Sequence, residues 1–82
     1  MKPKDIVIIC KVLTSEMRSL LVGGDHEKVF EVADILFSLS ETDGDSNNDE
    51  ALLGKLVDYT IRYPDRANKG HFKRLNLISS LQ

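Results

Sequence analysis

Apolar side chains recur along most of this chain at the three-and-four spacing of a helix that buries one face. The first run covers residues 3–21. Ile6, Ile9, Cys10, Leu13, Met17, Leu20 and Leu21 fall along one side, with Lys11, Thr14, Ser15 and Arg18 opposite. Pro3 suits a first helical turn, where its missing N–H costs nothing. Gly23-Gly24 suits the left-handed geometry that closes a helix. IVIICKV is also rich in β-branched residues, so a strand over residues 6–12 is the alternative. The period continues to Leu21, which favours the helix.

Asp25 is placed to cap a second helix over residues 26–40. Val29, Val32, Ala33, Leu36 and Leu39 form its stripe, and Phe30 and Phe37 widen it toward a second packing neighbour. Glu27, Glu31, Asp34, Ser38 and Glu41 trace an acidic ridge on the other side. Asn47 and Glu50 fit a capping box for a third helix over 48–63. Its inner face is Leu52, Leu53, Leu56, Tyr59, Thr60 and Tyr63, with Lys55, Asp58 and Arg62 outside. Pro64 ends it, PDRANKG reads as a loop, and Phe72, Leu75, Ile78 and Leu81 repeat every three residues in a short fourth helix. Alternation of Leu75 and Leu77 leaves a strand open there.

These elements predict a single all-α domain over residues 1–82, a bundle of about four helices. The alternative is α+β, with 6–12 as a strand. None of these helices is stable alone in water at its length, so their apolar faces must meet in one core. No apolar run reaches membrane-spanning length. Asp5 and Lys11 bracket an apolar stretch too short for a signal peptide, so a cytoplasmic protein is expected. The lone cysteine, Cys10, excludes an intrachain disulfide framework; its apolar neighbours predict a buried thiol.

The stretch SETDGDSNNDEALLGK, residues 40–55, invites comparison with a calcium loop. Starting from Asp43, it offers Asp43, Asp45 and Asn47 at ligand positions 1, 3 and 5. Position 6 is Asn48 rather than glycine, and position 12 is Gly54 rather than a bidentate glutamate. Turn composition favours a solvated connection. His26, His71 and Cys10 do not form a metal motif by spacing, and both histidines are expected at the surface. No GxSxG elbow, dinucleotide fingerprint or phosphate loop is present. Neither catalytic residues, cofactor nor metal are expected, and the chain is read as no enzyme.

Charge changes the picture more than any motif. Residues 1–24 carry four basic against two acidic side chains, residues 25–50 one against nine, and residues 51–82 six against two. The net charge of −2 conceals that segregation. The basic C-terminal part could fold back and neutralise the ridge. Otherwise, helix 2 and the following loop present an acidic field that speeds encounter with a basic partner. The candidate contacts are Glu27, Glu31, Asp34, Glu41, Asp43, Asp45 and Asp49, with Tyr59 and Tyr63 as aromatic anchors.

LLVGGDHEKVFEVADILFSLSETDGD is a helix closing in a glycine turn before an acidic amphipathic helix. It resembles small bacterial immunity proteins of the colicin and contact-dependent-inhibition types. The resemblance implies a compact helical protein that neutralises a toxin by covering its basic nuclease surface. The HPxGxDxIYYP-like motif of the colicin DNase immunity proteins is absent, and IRYPDR at 61–66 shares only its Tyr-Pro pair. No binding residue carries over; the candidates come from the charge pattern. The alternatives are an adaptor subunit or a nucleic-acid-binding regulator using Arg62, Arg66, Lys69, Lys73 and Arg74. An isoelectric point near 5.6 and few aromatic residues weigh against nucleic acid.

Overall fold

The structure, a computed structural model, describes residues 2–41 and 46–78, the side chains of residues 46–48 excepted. It contains α1 (Pro3–Gly23), α2 (His26–Ser40), α3 (Ser46–Arg62), α4 (Pro64–Ala67) and a 3-10 helix (Gly70–Leu77). Among the described residues there is no strand, so residues 6–12 belong to α1. α1 packs against both α2 and the 3-10 helix, α2 packs against α3, and α3 leads directly into α4.

Local chemistry sets the boundaries. Pro3 stands in the first turn of α1. Gly24, at φ 74°, takes the left-handed closing position. The amides of Gly24 and Asp25 then bond back to the carbonyls of Leu21 and Leu20 at 3.2 and 3.0 Å. Asp25 caps α2, accepting from the Lys28 amide at 3.4 Å and the Lys28 ammonium at 2.5 Å. α3 starts at Ser46, two residues before the expected position, so Glu50 and Gly54 are helical residues rather than loop ligands. Asp43 and Asp45 lie outside the described residues.

The C-terminal part departs most from the sequence reading. PDRANKG is not simply a loop, because Pro64 opens the single turn α4, at the position where proline fits a helix. The final element is helical, but of the 3-10 type. Side chains three apart eclipse in that geometry. Phe72 and Ile78 are buried and Leu75 is partly buried on the shared inner line. A repeat of three is the period of this helix itself.

The buried side of α1 also differs. It consists of Asp5, Ile9, Val12, Leu13, Glu16 and Leu20. Its axis is turned from the purely apolar stripe by somewhat less than the roughly 100° between successive helical residues. Cys10 is therefore exposed rather than buried, and Leu21 is 54% exposed. The rest of the core comes from Val32, Ile35 and Leu39 of α2, Leu52, Leu56 and Tyr59 of α3, and Phe72 and Ile78. α2 has its two expected neighbours, α1 and α3, but Phe30 and Phe37 are 75% and 65% exposed and lie outside the core those helices share.

Glu16 explains the turn of α1. Its residue is 0% exposed. The carboxylate accepts from Tyr59 Oη at 2.5 Å and from Arg66 Nε and Nη2 at 2.8 and 2.7 Å. His71 Nε2 lies 2.9 Å from Oε1 and must carry the proton, because an ionised carboxylate only accepts. Arg66 Nη2 also donates to Ser19 Oγ at 2.9 Å. One carboxylate thus ties α1 to α3, α4 and the 3-10 helix. Histidine 71 is half-buried in this network rather than a surface residue. Burial works to raise the Glu16 carboxyl, but hydrogen bonds from Arg66, Tyr59 and His71 outweigh it and hold the group below its ordinary value of 4.5. Burial and the bond to Glu16 push the Tyr59 phenol above its usual range.

These shifts give stability a defined pH dependence. Glu16 titrates lower folded than unfolded, so the unfolded chain binds more protons in the interval between the two values. Its stabilisation is complete above the ordinary value of 4.5 and is lost as pH falls through the folded value. Denaturant titrations across acid pH should show this decline in the parent and a reduced decline in Glu16→Gln. Arg66→Met leaves a buried carboxylate without its main partner and should cost about 3 kcal/mol at neutral pH. A loss near zero in that variant would show the network to be unimportant to the fold.

Candidate partner-binding surface

The acidic residues singled out in the sequence do not form one free ridge. Glu31 turns toward α3 and pairs with Arg62 Nη1. Asp34 meets Lys55 Nζ at 3.1 Å, an exposed pair. Arg62 Nε also reaches Asp58 at 3.0 Å. The cause is geometric: Glu31 and Asp34 lie on the flank of α2 that packs beside α3. There they meet the cations that α3 carries on its outer side. Together with Phe30 and Ile35 these groups line a cleft of about 280 Å³ between the two helices. Its charges are largely spent on one another.

What stays outward is a narrower feature. Glu27, Asp34 and Glu41 are seven residues apart and exposed, so they form a single row along α2. Glu41 also caps the end of the helix. Beside that row stand Phe30 and Phe37, again seven apart and both mostly exposed. Asp49 is half-buried in the first turn of α3 and is not part of this face.

Of the two expected anchors, one is withdrawn from the surface. Tyr59 is fully buried and committed to Glu16. Tyr63 is half-buried, with its ring 5.1 Å from that of Tyr59. Lys28 Nζ sits 4.8 Å from the Tyr63 centroid, and Arg62 Cζ sits 5.4 Å away. Hydrogen bonding to Glu31, with burial, pushes the Tyr63 phenol up. These contacts fasten α3 to α2 and to the start of α2. The large exposed aromatic side chains among the described residues are Phe30 and Phe37. The signal that could have found them is their seven-residue spacing beside the acidic row, off the Val32–Ile35–Leu39 line.

Among the described residues, no three His, Cys, Asp or Glu side chains converge to hold a metal ion. No helix among them is long and apolar enough to cross a membrane.

The exposure of the two phenylalanines has a measurable consequence. Phe30→Ser/Phe37→Ser should melt within about 3 °C of the parent, as surface changes do. Core phenylalanines would each cost about 3–5 kcal/mol on truncation. A collapse of the thermal transition in the double variant would return these residues to the core.

No family model, curated protein or solved structure matches the chain.

Proposed function

We propose that this chain is a protein-binding inhibitor of the immunity-protein kind, which covers a basic partner with the outward face of α2. The observation that carries the reading is the pair Phe30 and Phe37, 75% and 65% exposed, standing beside the row Glu27, Asp34 and Glu41. Large aromatic side chains at the centre of a contact supply most of its affinity. Carboxylates around them steer a cationic surface into register and raise the association rate. A toxin nuclease domain, which must itself hold a polyanion, has a surface of the complementary sign. The exposed Lys55–Asp34 pair can open at little cost, releasing Asp34 to such a partner.

The experiment begins with a tagged chain expressed in its host and identification of the partner it retains, followed by binding measurements on both purified proteins. Phe30→Ala and Phe37→Ala should each accelerate dissociation, weakening binding about 30-fold for a loss of about 2 kcal/mol. Glu27→Lys/Glu41→Lys should slow association and flatten its salt dependence. Mixing should abolish the partner's nuclease activity. An acidic partner, or affinity indifferent to both sets of changes, excludes this face. Tight binding without inhibition replaces the inhibitor reading with that of an adaptor.

A further inference from the structure

We infer that the outward row Lys4, Lys11 and Arg18 of α1 is a sequence-independent docking surface for the phosphate backbone of a nucleic-acid duplex. All three side chains are exposed, and they stand seven residues apart on one helix. Both acids of α1 face inward: Asp5 is 3% exposed and Glu16 is 0% exposed. The exposed surface of α1 therefore carries cations without a single carboxylate. None of the three is in an ion pair with another described residue. Arg62 and Arg66, basic residues suggested by sequence, are engaged with Glu31 and Glu16 and contribute nothing here.

Geometry selects the ligand. Fourteen residues of helix span about 21 Å at 1.5 Å per residue. Neighbouring charges about 10 Å apart cannot converge on one phosphate group. A duplex lying alongside presents one negative charge per roughly 1.7 Å of axis, about twelve phosphates over that length. The row has no exposed aromatic ring, so it offers no base stacking and no readout of sequence. A membrane surface fits less well, because interfacial helices insert a broad apolar face. The exposed large apolar residues of α1 are Val7 and, in its last turn, Leu21 and Val22, which is not a broad face along the row. This surface is independent of the α2 face, and its test does not involve the protein partner.

The test is fluorescence anisotropy of a short labelled DNA duplex of arbitrary sequence, titrated with the full chain over a range of salt. Saturable binding at low salt is expected, with log K falling linearly with log salt. Lys4→Ala/Lys11→Ala/Arg18→Ala should lower the magnitude of that slope by about 2.7, at about 0.9 per phosphate contact. Each single substitution should lower it by about 0.9, which keeps the test decisive if the triple variant does not fold. Phe30→Ser/Phe37→Ser should bind the duplex as the parent does. Absence of binding at low salt, or a slope untouched by these substitutions, overturns the proposal. So does charge-dependent binding to phosphatidylserine vesicles without binding to the duplex.

Discussion

The fold depends on one buried carboxylate. Removing an ionised Glu16 from water costs several kcal/mol unless its lone pairs are filled. Here Tyr59, both nitrogens of the Arg66 fork and His71 fill them. The bidentate arginine matters most, since a charge-assisted fork is roughly twice as strong as a neutral bond and fixes orientation as well. α4 has four residues and the 3-10 helix eight, lengths that form no stable helix in isolation. Their position is set by Arg66 and His71 gripping α1, with Phe72 and Ile78 filling the apolar space beyond. An apolar residue at position 16 could match the stability of the network. It would lose the register that four directional bonds impose.

The same network redistributes charge at the surface. Arg66 is consumed by Glu16, and Arg62 is consumed by Glu31 and Asp58. The acidic middle of the sequence is thus partly neutralised by the basic C-terminal part. It is not neutralised everywhere. Glu31 and Asp34 are paired on the flank of α2 beside α3, while Glu27 and the two phenylalanines remain exposed. On α1 the effect has the opposite sign, because sending Asp5 and Glu16 inward leaves lysines and an arginine outside.

Much of the architecture was legible in the sequence. The limits of α1 and α2, the Asp25 cap and the Gly24 stop follow from local chemistry, and local chemistry is what a sequence displays. α3 begins two residues early because helical pairing continues past the turn formers that suggested a later start. The inward face of α1 was harder to read. Hydrophobicity alone points to Cys10, Met17 and Leu21, whereas the structure buries Glu16 and Val12. No single-sequence rule anticipates a buried glutamate whose partners lie 43 to 55 positions away. The spacing placed Tyr59 and Tyr63 on the inner face, as the structure has them, and only the anchor role read for Tyr59 overlooked its commitment to Glu16. Phe30 and Phe37 looked like core because any aromatic near an apolar stripe does. Only the packing, in which α1 and α3 are set against the other side of α2, reveals them as surface.

A net charge of −2 describes neither face of this molecule. The cationic row of α1 and the acidic, aromatic face of α2 lie on adjacent helices, whose axes in such packings stand about 8–10 Å apart. Their outward charges are separated further still. Screening at physiological salt acts over about 8 Å, so each face presents its own field to an approaching molecule rather than an average of the two. A polyanion and a basic protein repel or attract the two faces in opposite senses, and each is therefore oriented before contact. Neither needs to displace the other, because they would not share a side chain. The separation has a structural origin: it exists because Asp5 and Glu16 point inward on the helix that carries Lys4, Lys11 and Arg18. The carboxylate that organises the core is in this way also responsible for the polarity of the surface.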